Sequence, residues 1–401
     1  MKAPPLPLEE AQARLLALIE PLPVERVDSD SLLGRYLAEP LLARRTQPAC
    51  DLSAMDGYAV LADDLSGPWD VIGESAAGHP FAGTVERGKA VRIATGAVMP
   101  AGGDAVILQE DLRRDGERLH LTGTPPTPPG KHIRRAGMDF REGHALLPAS
   151  TRFGPAQIAL AIAGGHRHVP VHARPTLAIL DSGDELASEG SDCGLHQIPA
   201  SNGAMLAALA APYAASIQRL GPVPDRMEAL SEALARAKDA DVIVTSGGAS
   251  VGDHDLVRPA LEAWGAQIDF WRVAIKPGKP ILVARRGAQL VIGLPGNPVS
   301  SHVTAFLFLL PVLRALQGAA APLPRRIATR LAAPLAPGGS RREFLRASWN
   351  GHEIAALALQ DSGALSSLAA ANALIDRPAK AVPGLAGEEV LAYLLENGGI
   401  A

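Results

Sequence analysis

The residues best equipped for chemistry sit in three glycine-rich loops, each behind an apolar run. They are Thr245-Ser246-Gly247-Gly248-Ala249-Ser250-Val251-Gly252-Asp253-His254-Asp255, Lys276-Pro277-Gly278-Lys279-Pro280 and Leu294-Pro295-Gly296-Asn297-Pro298-Val299-Ser300-Ser301. Glycines let backbone N–H groups approach an anion closely. The serines add hydroxyls, Asp253 and Asp255 add acids, and Lys276 and Lys279 add cations. That mixture suits a phosphorylated ligand with a metal ion. A fourth turn, Asp181-Ser182-Gly183-Asp184-Glu185, follows the strand-like run Thr176–Leu180. Acids among phosphate-binding groups make sense when a cation mediates, and Mg²⁺ takes oxygen ligands of this kind. Each motif also has a plainer reading. Gly247-Gly248 fits a tight turn, and Pro298 with Ser300 fits an ordinary helix start. Lys276 and Lys279 fit solvated turn lysines aimed by Pro277 and Pro280. Asp253 or Asp255 fits a cap for a helix near Leu256, which accounts for one acid but not two.

The loops matter together because of the elements that carry them. Asp241–Val244 and Leu290–Leu294 read as buried strands. In an open parallel sheet the strand tips share one edge, and ligands bind there. Helical spacing marks residues 8–20, stopped by Pro21 and Pro23, a short helix from Ser29 to Ala38, and Pro155–Ala163. Ser201-Asn202 reads as the capped start of a further helix. Met227, Leu230 and Leu234 mark another, and a last one runs from Val299 to near Leu316. Within it, Val303–Leu313 is too short to span a bilayer and contains Pro311, so it reads as a buried helix. Short β-like runs at 69–73, 90–94, 105–109 and 118–122 alternate with Gly/Pro turns. Similar runs follow the linker Pro322-Leu323-Pro324, at 326–331, 344–349, 354–359 and 390–394. The fold class expected is multidomain α/β plus β. It has a central doubly wound α/β domain, a small β domain before it, and a C-terminal β barrel or sandwich.

Composition narrows the classes. The 401 residues carry a formal net charge of −4, with aromatic residues at 4%. No run of lysine and arginine occurs. Neither nucleic-acid nor membrane binding is supported. The two cysteines, Cys50 and Cys193, have no metal-ligand spacing. With no signal-like start, the expected location is the cytoplasm. His166 and His168 lack a third ligand and read as surface or strand-end residues. P-loop, G-x-G-x-x-G and G-x-S-x-G patterns do not occur, which disfavours Walker NTPases, Rossmann dehydrogenases and α/β hydrolases.

Taken together, the motifs resemble those of the molybdopterin molybdenumtransferases, the family that includes the gephyrin E domain. The matching stretches are SAMDGYAV (53–60), RIATGAVMPAGGDAVILQED (92–111), IRRAGMD (133–139), SGDEL (182–186), TSGGASVGDHD (245–255), AIKPGKP (274–280) and GLPGNPVSS (293–301). They span most of the chain in the family's order, most weakly in the C-terminal region. The resemblance implies a helical linking domain at 1–50 and 136–173 and a β domain at 51–135. A molybdopterin-binding α/β domain at 174–317 and a barrel at 318–401 complete the chain. It implies an elongated homodimer with a cleft at the α/β domain that the other protomer completes. Candidate partners are the molybdopterin adenylyltransferase and downstream molybdoenzyme maturation proteins. The implied reaction transfers molybdenum from molybdate to adenylylated molybdopterin, with Mg²⁺ and release of AMP. The implied catalytic positions are Asp56, Thr95, Asp139, Glu185, Asp225, Asp255 and Lys276. The implied cofactor-binding positions are Ser246, Gly247, Gly248, Ser250, Arg272, Lys279, Pro295, Asn297, Pro298, Ser300 and Ser362. Asp184, Glu185 and Asp255 are the implied Mg²⁺ ligands. Arg272 replaces the lysine common in the family, and a planar fork meets an anion differently from a point charge. Ser362, Ser366 and Ser367 compete for one expected C-terminal serine. Two other activities fit parts of the pattern: the adenylyltransferase of the preceding step, and a non-enzymatic cofactor carrier or scaffold.

Overall fold

The structure, a computed structural model, describes residues 4–247 and 256–395. The chain forms two compact units, residues 26–33 with 39–169, and residues 1–25 with 34–38 and 170–401.

The first unit is built on one six-stranded sheet, curled into a half-barrel. Its strands are β1 (Gly57–Val60), β2 (Trp69–Ser75), β3 (Lys89–Ile93), β4 (Ala105–Leu108), β5 (Leu112–Asp115) and β6 (Arg118–Leu121), in the order β4-β1-β3-β2-β6-β5. Alternate residues of β1 serve opposite faces, as the strand period requires. Tyr58 and Val60 pack with Trp69, Ile107 and Leu119, while Ala59 packs with Ile93, Val106 and Ile133. His166 is buried rather than on the surface, because its Nε2 hydrogen-bonds Leu42 O at 2.7 Å. Burial holds its pKa below the usual value, against the opposing effect of that bond.

The second unit centres on a mixed sheet. Its strands are β7 (Thr176–Ser182), β8 (Ser216–Val223), β9 (Val242–Ser246), β10 (Gln267–Trp271), β11 (Leu282–Arg286) and β12 (Gln289–Leu294), in the order β8-β7-β9-β12-β11-β10. The first four are parallel, and β11 and β10 add antiparallel, so the sheet departs from the all-parallel expectation at one edge. Alternation gives the sheet two cores. Leu177, Ile179, Val242 and Val244 face helices Leu8–Leu16, Asn202–Ala210 and the run 298–316. Ala178, Leu180 and Ile243 face helices Met227–Arg236 and Val257–Ala263. That two-sided cover is the doubly wound arrangement expected.

Two helical expectations change. Residues 29–38 contain only a 3₁₀ turn, Ser29–Ser31, and Gly34 at φ 77° takes the chain out of helical geometry. The run 298–316 is continuous, with a π-helical segment at Ala305–Leu309, and by length and composition could cross a membrane. Since 89% of it is buried inside the fold, it is a core helix.

The C-terminal strands β13 (Ile327–Leu331), β14 (Arg342–Trp349), β15 (Glu353–Ala356), β16 (Ala373–Arg377) and β17 (Glu389–Leu394) close into a five-stranded barrel. Closure runs β14-β15-β13-β17-β16 and back to β14, through the antiparallel β14–β16 pairing. Sequence periodicity alone leaves β16 unmarked, although it is the strand that completes the ring.

Candidate functional site

The parallel strands deliver three loop tips in register. Asp181 of β7 pairs Ser246 of β9, which pairs Leu294 of β12. Beyond these tips lies a cleft of about 780 Å³. Its walls include Asp181, Glu185, Asn202, Asp225, Ser246 and Asn297. Gly247, at φ 95°, lets the second loop cross directly over β7, where a side chain would overlap Ser182 O.

Hydrogen bonds tie the tips together. Ser182 Oγ donates to Asp225 Oδ1 at 2.6 Å, and the Asp225 N–H donates to Asp184 Oδ1 at 3.0 Å. Asn202 Nδ2 donates to Ser246 Oγ at 2.9 Å and to Gly296 O at 2.7 Å. The residue read as a helix cap is thus a cross-loop tie, and Ser201 makes no side-chain cap either. Asp181 is 6% exposed, and burial pushes its pKa up. The Gly203 N–H, the Arg219 charge and the Ser246 hydroxyl oppose that shift.

The C-terminal segment adds Gly363 and Leu365 to the cleft wall. Asn297 Nδ2 donates to Ser362 Oγ at 2.9 Å, and the Val299 N–H donates to Ser362 O at 3.1 Å. Ser362 therefore adjoins the cleft, whereas Ser367 is buried and accepts from Arg346 Nε at 3.1 Å. Arg346, 1% exposed, also donates to Leu359 O and so anchors the segment that carries Ser362. These contacts alter the anion-site reading of the third loop. Pro298 has no N–H and that of Val299 is taken, so the helix start offers a ligand fewer free donors.

Of the other expected positions, Pro295 and Pro298 line the cleft, and Ser300 is buried in the helix behind it. Gly248, Ser250, Asp253 and Asp255 lie outside the described residues. The basic loop is displaced from its expected role. Ile275–Lys276 forms a short strand that pairs with β14, with Lys276 opposite Glu343. Lys276 Nζ lies 3.1 Å from the Oε1 of buried Glu343. Only Pro280 of that loop lines the cleft, while Lys279 is exposed. Arg272 adopts φ 112°, a left-handed conformation that costs a residue with a side chain of order 1–3 kcal/mol.

In the first unit, the Thr95 N–H donates to Asp56 Oδ1 at 2.7 Å. That bond, with the Thr95 hydroxyl, holds the Asp56 carboxyl below the usual carboxylate range. Asp139 is exposed, and its N–H donates to Gln47 O at 3.1 Å.

The cleft's charge is one-sided. Among the described residues its lining holds the acids Asp181, Glu185 and Asp225 but no lysine, arginine or histidine. Glu185 and Asp225 offer carboxylate oxygens, the kind of ligand Mg²⁺ takes, but among the described residues no group of three acids, histidines or cysteines is placed to hold a metal ion. Sequence reasoning took Asn202 for a helix cap and grouped Asp181 with Asp184 and Glu185 as acids for a cation; the cross-loop tie of Asn202 and the burial of Asp181 were not foreseen. The available signal was their position beside strand tips.

Comparison with known proteins agrees with this architecture. Residues 6–165 match the MoeA N-terminal region (domain I and II), residues 178–315 a probable molybdopterin binding domain, and residues 328–395 the MoeA C-terminal region (domain IV). A molybdopterin molybdenumtransferase of Nostoc sp. is 39% identical over 74% of this chain and 70% of its own length. Molybdopterin molybdenumtransferase 2 of Mycobacterium tuberculosis is 34% identical over 95% of this chain and 96% of its own. Gephyrin of Dictyostelium discoideum is 32% identical over 74% of this chain but 47% of its own. The crystal structure of the molybdopterin biosynthesis moeA protein from Pyrococcus horikoshii OT3 superposes with a TM-score of 0.84 at 29% identity, covering 98% of this chain and all of that one. The chain belongs to the molybdopterin molybdenumtransferase family.

Proposed function

We propose that this protein inserts molybdenum from molybdate into adenylylated molybdopterin, in molybdenum cofactor biosynthesis. Water attacks the pyrophosphate link and AMP leaves; the two dithiolene sulfurs bind molybdenum as molybdate oxygen departs with their protons as water, with no change of oxidation state. The observation that carries the reading is the acid-rich cleft at the strand tips. A phosphorylated ligand meets three carboxylates there and no described cation, so a divalent metal has to offset the charge. When bound, Mg²⁺ supplies charge neutralisation at the phosphates. Glu185 and Asp225 would contribute ligands to it, with Asp255 of the second loop, which lies outside the described residues, while Asn297 and Ser362 position the ligand's far end. Such chemistry rests chiefly on positioning and electrostatics, which fixed loop tips provide. On this reading Asp56, Thr95 and Asp139, taken from the motif resemblance, are further active-site positions. The protein acts in the cytoplasm as a homodimer on this reading, which light scattering tests directly. The adenylyltransferase and cofactor-maturation proteins are its natural contacts.

The deciding assay combines the purified chain, adenylylated molybdopterin, molybdate and Mg²⁺. AMP release with formation of active cofactor is expected. The Glu185→Gln variant should lose at least about tenfold in turnover, or need about tenfold more Mg²⁺, with its fold intact. Absence of AMP release, or production of adenylylated molybdopterin from ATP and molybdopterin, overturns the reading.

A further inference from the structure

Between the fourth turn and the helix at Asn202 the chain makes an excursion over residues 188–199, all of them exposed. Its neck is pinned beside the cleft. Leu186 pairs Ile198 and Ala187 pairs Pro199. The Ile198 N–H donates to Glu185 O at 2.8 Å, and the Ala200 N–H donates to Ala187 O at 2.9 Å. Glu185, Leu186, Ile198, Pro199 and Ala200 all line the cleft, so the excursion rises from the cleft's own rim. A loop of this length whose ends meet is an Ω-loop, a form that often carries function.

Beyond the neck the loop is folded on itself. The Ser191 N–H donates to Ser188 O at 3.1 Å, the Gln197 N–H to Gly194 O at 3.0 Å, and the Gly194 N–H to Gln197 Oε1 at 3.2 Å. Its tie to the rest of the fold, among the described residues, is the ion pair of Glu189 with Arg219 on β8. Both side chains are about half exposed, and an exposed pair biases an equilibrium by about fivefold at most. Leu195, near the tip, is the most exposed large apolar side chain among the described residues. A leucine held wholly in water is stabilised by being covered. The cleft offers cover in Pro280, Pro295, Pro298 and Leu365. Half of the loop, extended, reaches about 16 Å, which spans a cleft of about 780 Å³.

We propose that residues 188–199 form a lid, which the Glu189–Arg219 pair holds open and which closes over a bound ligand with Leu195 docked on the apolar side chains of the cleft. The ligand is the one taken from the function proposed above. Closure shuts out bulk solvent while one attacking water stays, and charges act more strongly in the drier site.

Cys193 lies exposed in the loop, which makes its thiol a reporter of closure. The test follows alkylation of Cys193 by iodoacetamide in the full chain, resolved by peptide mass spectrometry. It is run with and without saturating AMP and Mg²⁺, whose binding is established by calorimetry. Bound AMP should slow alkylation at least about fivefold. Leu195→Ser should bring the rate back to within about twofold of that of the free chain. Glu189→Ala removes the latch and should slow alkylation of the bound form by a further factor of roughly two to five. Both positions are exposed, so these variants leave the cores intact. Alkylation as fast with AMP bound as without, protection that Leu195→Ser leaves unchanged, or faster alkylation in Glu189→Ala overturns the lid and spares the transferase reading. No measurable binding of AMP overturns the lid as well. Protection by AMP in a chain that releases no AMP from the full substrate would reject the transferase reading and keep the lid.

Discussion

At the scale of single residues, two aspartates lie in opposite environments. Asp56 is exposed, and the Thr95 N–H and hydroxyl stabilise its charged form. Its motif was legible because Ser53 to Val60 matches a known pattern residue by residue. Asp181 was not legible in the same way, because nothing in Asp-Ser-Gly-Asp-Glu distinguishes a buried carboxyl from a turn acid. Its burial comes from β8 and β9 on either side, a non-local fact. Burial raises its pKa, so the folded chain holds that proton more tightly than the unfolded chain does. The resulting stabilisation is complete below the ordinary aspartate value and is lost as pH rises through the raised one. The Asp181→Asn variant does not titrate there. Its stability relative to wild type should therefore rise as pH increases above the ordinary aspartate value, as read by urea unfolding. A difference that stays constant, or falls, would contradict a buried carboxyl with one unpaired oxygen.

At the scale of elements, the helix 298–316 was read correctly as buried, but its internal break was not foreseen. Pro311 has no N–H to offer the carbonyl of Leu307, four residues back. The backbone passes through a π segment just before it. The stranded Leu307 O is met by Gln12 Nε2 at 2.9 Å, from the buried face of helix Leu8–Leu16. A glutamine on an otherwise apolar face is the only sequence trace of this arrangement, and it becomes meaningful once the two helices are seen side by side. Gln12→Met keeps the shape and removes the donor. It should cost about 1–3 kcal/mol in urea unfolding, the desolvation penalty of a buried carbonyl without a partner. An unchanged midpoint would mean that the carbonyl finds another donor. The barrel follows the same logic. β13, β14, β15 and β17 were visible as alternating runs, whereas β16, with all five of its residues buried, carries no alternation to read.

At the scale of the whole molecule, the chain passes between its two units at residues 25, 33, 38 and 169, and no composition change marks those crossings. Long-range contacts set them. Each unit holds its own core. In the unit of residues 26–33 and 39–169, Trp69 is 1% exposed and packs with Tyr58, Ile107 and Leu119. Its Nε1 donates to Asp64 O at 3.0 Å. Truncating a buried aromatic of this size costs about 3–5 kcal/mol, through lost burial and the cavity left behind. Separate cores imply separate cooperative transitions, so scanning calorimetry of the native chain should resolve two. Trp69→Ala should lower one of them by about 10 °C and leave the other within about 1 °C. A single transition that shifts as one would show that the two cores unfold as a cooperative whole, and that the energetic unit of this protein is larger than its packing unit.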